Sequence, residues 1–178
     1  MRLPSARWYG GWLALVRFLT GVMWLIHAVP KFVHPERFMP PSGAFAAYVQ
    51  HGLATTVGPY RDFMANVVQP NAVIFAELVR FGELLVGISL VLGLFTRLGG
   101  LFGMVLPLNY MATRAAIATV SGWGTIDAAM LLLSAINVVL PTGRVAGCDA
   151  LFGRSRRPAR VVGEVVPERP LSGPTAPP

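Results

Sequence analysis

The chain has 178 residues, of which 54% are apolar and only 13% charged, against roughly 25% charged residues in an ordinary soluble domain. Its formal net charge of +7 comes almost wholly from arginine, with Lys31 the only lysine. No RNA- or DNA-binding motif accompanies that charge, and the single cysteine, Cys148, excludes an intramolecular disulfide, a CxxC pair and a thiolate metal cluster.

The apolar residues fall in long blocks separated by polar breaks. The first block, 9–30, follows Arg2 and Arg7 as a secretory signal would. It outruns the ~7–15 residues of an h-region, and no A-x-A-like site follows it, so it reads as a retained span. Its length matches the ~20 residues that cross a ~30 Å hydrocarbon core.

The break at 31–71 is patterned. Ser42 can cap a helix that puts Phe45, Tyr48, Val49 and Leu53 on one face, and Pro59 can open a second with Tyr60, Phe63 and Val67. Short amphipathic pieces of this kind lie along a membrane interface or fold over a bundle mouth, and a substrate lid is the alternative reading. Three further blocks follow at 72–95, 98–118 (with Pro107 inside) and 125–140, the last short for a span.

The expected fold is therefore an all-α membrane protein. It is a four-transmembrane-helix bundle with short interfacial helices between spans one and two, occupying residues 1–152. From 153 to 178 the chain is rich in Pro, Gly and Arg without sustained periodicity and reads as a disordered basic cytoplasmic tail.

Loop arginines set the orientation. One side collects Arg2, Arg7, Arg97, Arg144, Arg154, Arg156, Arg157 and Arg160, the other only Lys31, Arg37, Arg61 and Arg114. The positive-inside rule then puts both termini in the cytoplasm, and the expected location is a bacterial or archaeal plasma membrane, crossed several times. Trp8, Trp12 and Trp123 read as interface anchors, and Gly99 with Gly103 as a small-xxx-small packing seam.

Charges inside apolar blocks cost ~2.5–3.5 kcal/mol or more unless paired, so Arg17, Glu77, Arg80 and Glu83 should face the bundle interior. Arg17, Gly21, Trp24, Ala28 and Lys31 recur at helical spacing as one stripe; Arg80, Glu83 and Gly87 form a second, with Glu77 at its margin. Depth counted from the block ends matches Arg17 with Glu83. At the outer end His27, Lys31, Glu77, Arg80, Asp127 and Asn109 converge on an outward-facing polar pocket. Plainer roles stand beside this one: an Arg17–Glu83 register pair, Lys31 and His27 snorkelling, Arg80 satisfied by Glu77 or Glu83 on its own helix, and Asp127 favouring a helix N-terminus capped by Thr125. His27, His34 and His51 lack metal-ligand spacing.

The same residues carry a family resemblance. Arg17 and Gly21, then Lys31-Phe32 followed by Pro35 and Phe38, match the first span of the DoxX/DoxD family. Glu83, Gly87 and the run Leu92-Gly93-Leu94-Phe95-Thr96-Arg97 match the second, and Asp127, Gly143-Arg144 and Asp149 complete the likeness over residues 13–151. The family includes the small membrane subunit of thiosulfate:quinone oxidoreductase. The resemblance implies a four-helix membrane protein tied to quinone-linked sulfur oxidation or thiol redox balance. A DoxA-type partner sequence is absent from this chain, so a complete oxidoreductase needs another polypeptide. No catalytic residue is carried over.

The leading expectation is thus an integral membrane subunit of a redox complex, with a quinone or a small sulfur anion bound in the polar pocket and no covalently bound cofactor. Arg80 and Lys31 would hold the anion or a quinone oxygen, with the acids relaying protons. The alternatives are a non-catalytic scaffold that recruits a soluble redox enzyme and, less favoured for want of an inverted repeat, a small-solute permease. Expected partners are the bilayer, a protein subunit and further copies of the chain, with no nucleic acid.

Overall fold

A computed structural model describes residues 6–153, with side chains from 9 to 151. The expected tail from residue 154 onward lies outside the described residues, as do Arg2 and the Trp8 side chain. The described residues are all-α: helices α1 (Ala6–Val33), α2 (Pro35–Phe38), α3 (Ala44–Thr55), α4 (Gly58–Phe63), α5 (Ala72–Leu92), α6 (Thr96–Thr113), α7 (Val120–Trp123), α8 (Ile126–Val139) and α9 (Asp149–Gly153). A π-helical turn, Met64–Val68, continues α4, and a 3₁₀ turn, Thr142–Arg144, follows α8.

Four long helices make the body. α1 lies along α5, α6 lies along α8, and α5 joins the two pairs. The first pair closes on glycine. A Cβ at Gly21 would stand 2.6 Å from the Val91 backbone nitrogen, and one at Gly87 would stand 2.6 Å from Leu25 Cδ2. The second closes the same way, since a Cβ at Gly100 would meet the Ser134 carbonyl at 2.8 Å and one at Gly103 the Ser134 hydroxyl at 2.6 Å. Trp24, Val86, Leu90 and Met130 fill the space where the pairs meet.

The inward stripe of α1 is as the spacing predicts: Arg17, Gly21, Trp24 and Ala28 are buried and Lys31 half-buried. α1 runs three residues past the expected end at Pro30. α5 stops at Leu92, where Gly93 takes the left-handed conformation at φ 66° that its missing Cβ permits.

By length and composition, one helix among the described residues, Tyr9–Val33, is long and apolar enough to cross a membrane. α5 has the length but carries Glu77, Arg80 and Glu83. α8 has 14 residues, about 21 Å at 1.5 Å each, short of a ~30 Å core. All four long helices nevertheless turn large apolar side chains outward, among them Phe18 and Leu19, Leu78 and Leu85, Phe102 and Val105, and Leu132 and Val139.

The 31–71 break folds back over the N-terminal end of α5 and the C-terminal end of α6. Gly43 rather than Ser42 takes the N-cap position of α3, and Phe45 and Val49 are buried as the pattern predicts. After α4 the expected face changes: Met64 and Val68 are buried while Phe63 and Val67 are each 40% exposed. Met64 and Val68 follow Tyr60 in four-residue steps, and packing against Phe45, Val49 and Ala76 puts the buried face on them rather than on Phe63 and Val67.

The opposite end is held by a clasp. Arg17 reaches across from α1 and donates through Nη1 to the carbonyls of Thr142 (2.9 Å) and Val145 (3.2 Å), and through Nη2 to that of Ala146 (3.0 Å). Asp149 accepts from the Phe95 and Thr96 amides at 2.7 and 3.1 Å and from the Thr96 hydroxyl at 2.7 Å. The motif residues at 92–97, 143–144 and 149 therefore meet in one place, and they lock the chain after α8 onto the α5–α6 turn.

Candidate functional site

At the covered end, the four long helices and the cover enclose a cavity of about 270 Å³. α1 supplies His27 and Lys31, α5 supplies Glu83, α6 and its cap supply Asn109, Tyr110 and Arg114, and α8 supplies Asp127; Phe38, Phe45 and Tyr48 of the cover form the roof.

Glu83 is the centre of this lining. It is 2% exposed, a position a carboxylate holds only when paired. Lys31 Nζ bonds to its Oε2, and the Tyr110 hydroxyl donates to its Oε1 at 2.6 Å. The Lys31 ammonium also stands 4.7 Å from the centre of the Phe38 ring, which adds a cation–π contact under the roof. At the other side Arg114 forms an ion pair with Asp127. Each of these cations faces its own carboxylate, so the fixed charges of the lining balance.

The roof is tied down by tyrosines. Tyr48 donates to the Tyr110 carbonyl at 2.8 Å, and the two rings meet edge to face at 5.8 Å. Tyr60 bonds to Asn109 Oδ1 and to the Thr113 hydroxyl, both at 2.8 Å. Burial pushes the Tyr48 phenol up to about 12 against the opposing pull of Thr113 and Arg114, and it raises Tyr60 in the same direction. Both keep their protons at neutral pH and act as donors.

The arrangement can hold a neutral polar ring between donors and acceptors, and it can pass a proton along Lys31, Glu83 and Tyr110. Among the described residues, no group of three or more His, Cys, Asp or Glu side chains is placed to hold a metal ion.

Five of the sequence-derived candidates line this cavity: His27, Lys31, Glu83, Asn109 and Asp127. Three do not. Arg17 sits in the clasp at the far end and does not meet Glu83. Counting depth from block ends treats those ends as level, but Gly21 lies against Val91 and Leu25 against Gly87. α5 therefore projects about 10 Å, some seven residues, beyond the end of α1.

Glu77 and Arg80 bind each other through three contacts of 2.6–3.0 Å, the plainer pairing. Each three-residue step back from Glu83 turns the helix about 60° away from the cavity. Arg80 instead lies over the Phe32 ring at 4.5 Å. Tyr110, Tyr48 and Arg114 were not singled out as site residues. The packing seam of Gly99 and Gly103 continues at helical spacing through Pro107, Tyr110 and Arg114, and that continuation points to two of them.

No curated protein and no solved structure matches the chain. A family model described as "TQO small subunit DoxD" matches residues 12–159, a stretch that holds every residue of the cavity and of the clasp. The chain accordingly belongs to the DoxD family, membrane-associated small subunits of thiosulfate:quinone oxidoreductase-like complexes that work with a protein partner.

Proposed function

We propose that this chain is a multi-pass plasma-membrane subunit that binds the head of a lipid-soluble quinone in the covered cavity while a partner subunit handles a reduced sulfur compound. The observation that carries this reading is the buried Glu83 carboxylate, held by Lys31 and Tyr110 beneath a roof of Phe38, Phe45 and Tyr48. A neutral ring with two oxygens suits a lining whose charges are already paired, and a small sulfur anion suits it less. The outward apolar faces on all four long helices support lipid around the whole bundle. Arg97 and Arg144 lie at the clasp end, while Arg37, Arg61 and Arg114 lie at the covered end. Counted along the sequence, Arg2, Arg7 and the arginines after residue 153 add to Arg97 and Arg144, which favours a cover facing outward and termini facing the cytoplasm.

The chemistry is a balanced exchange. Two sulfur-centred anions joined through a new S–S bond release two electrons, and a quinone takes two electrons with two protons. The part of this chain is to orient the ring and to manage protons. Lys31 and Tyr110 hold donors toward Glu83, and its carboxylate accepts from both. Gentle purification from native membranes tests the reading, with identification of the bound lipid and of the co-purifying polypeptide. A quinone and a sulfur-oxidising partner are expected. A soluble redox enzyme recovered with no quinone would favour a non-catalytic scaffold.

A further inference from the structure

Behind the polar cavity lies a second chamber of about 220 Å³ between the cover and the outer halves of α5 and α6. Phe45, Tyr48, Val79 and Asn109 line both spaces, so they are two rooms with a common wall. The inner surface of the chamber is apolar and closed, with Val49, Met64 and Val68 at 2–4% exposure. Its outer wall is different: Leu78 is 62% exposed, Val105 53% and Phe63 40%. Those side chains belong to the outward apolar faces of α5 and α6 and to the rim of the cover.

The polar groups of the chamber cluster at one end, around Asn109 and Thr113. Asn109 and Thr113 are held by the Tyr60 hydroxyl, and Thr113 also donates to the Asn109 carbonyl at 2.9 Å. An apolar space of ~150 Å³ already takes a benzene ring. The chamber thus has room for a stretch of hydrocarbon but offers no partner for a polar head.

We propose that this chamber holds the apolar tail of the molecule whose head enters the polar cavity, and that the seam at Leu78, Val105 and Phe63 is its lateral door to the bilayer. The inference rests on the quinone reading above and adds the direction from which the ligand arrives. The head passes the shared wall at Tyr48 and Asn109 and meets Glu83 and Tyr110, while the first part of the tail stays among Phe45, Val79 and Leu106. The groove by His34 and Arg37, which borders the cavity on its other side, sets the titratable side chains of His27, Lys31, His34 and Arg37 beside Ile26, Pro30, Phe38 and Ala44, and so suits a hydrocarbon tail less well than the chamber.

Two photoreactive quinones, one activated on the ring and one on the tail, test this in native membrane vesicles holding the full complex. Only labelling that excess unlabelled quinone abolishes is counted, because tail probes dissolved in lipid mark any outward face. Ring labels on Tyr48 or Tyr110 together with tail labels on Phe63, Leu78 or Val105 are the expected result. Val105→Trp, on the outer wall, should reduce competable tail labelling at least ~10-fold while a tail-less ring probe still labels the cavity. Ring labels in the cavity with tail labels by His34 or on α8 would overturn the door and leave the quinone reading standing. Absence of any competable ring label would overturn both.

Discussion

Lys31 and Glu83 pair across the α1–α5 interface, with Tyr110 closing the second carboxylate oxygen from α6. Three helices therefore meet through one buried carboxylate. Stranding one partner of a buried pair costs about 3–5 kcal/mol. Lys31→Met and Glu83→Gln should each lower thermal stability in detergent, and the double variant should lose less than the sum of the two, by about 0.5–3 kcal/mol. Additive losses would mean that the pair is not coupled.

Arg17 belongs to a separate unit. Its guanidinium holds three carbonyls of the segment after α8 and is 3% exposed. Arg17→Met should cost about 3 kcal/mol or more, given ~1.5–3 kcal/mol for a hydrogen bond to a charged group. It should also raise the rate at which a thiol reagent modifies the half-buried Cys148. Combined with Glu83→Gln, the losses should add within about 0.5 kcal/mol, because the two residues share no partner. A strong departure from additivity would tie the two ends of the bundle together.

These two units show what the sequence made legible. Apolar block length located all four long helices, and 3.6-residue spacing gave the inward stripe of α1 and the buried Phe45–Val49 face, since both are local properties. Pairing was another matter. Arg17 and Glu83 have suitable charges and suitable faces, but the axial offset of α1 and α5 is set by the Gly21 and Gly87 contacts, and no single helix reveals it. After Tyr60 helical spacing allows either Phe63 and Val67 or Met64 and Val68 on the buried face, and only packing against Phe45, Val49 and Ala76 decides for the second pair. Tyr110 was passed over because a tyrosine within an apolar block reads as packing until its hydroxyl is seen on a carboxylate.

The roof phenols give a titration signature. Burial pushes the Tyr48 phenol up to about 12 and raises that of Tyr60 in the same direction. A phenol raised in the folded state stabilises the fold below its unfolded value near 10, and that contribution is lost as pH rises through the folded value. Stability should therefore fall between about pH 10 and 12. In an ultraviolet phenolate titration the late step should shrink in Tyr48→Phe. An unchanged titration curve in that variant would place the late step elsewhere.

Orientation is open to a direct check. A phosphatase fusion within 31–71, near Gly52, should be active, and one at Gly153 should be silent. Activity at Gly153 would reverse the bundle in the membrane and put the cover in the cytoplasm.

The claim on which the account turns is that the cavity around Glu83 receives a quinone head. Equilibrium binding of a short-tailed quinone to the purified complex measures this, with Tyr110→Phe and Glu83→Gln compared against the parent chain. A saturable site whose affinity falls at least ~10-fold in Glu83→Gln and less in Tyr110→Phe, both variants remaining folded by thermal melting, is the predicted result. Equal affinity in all three proteins, or no saturable binding in the parent, would contradict it.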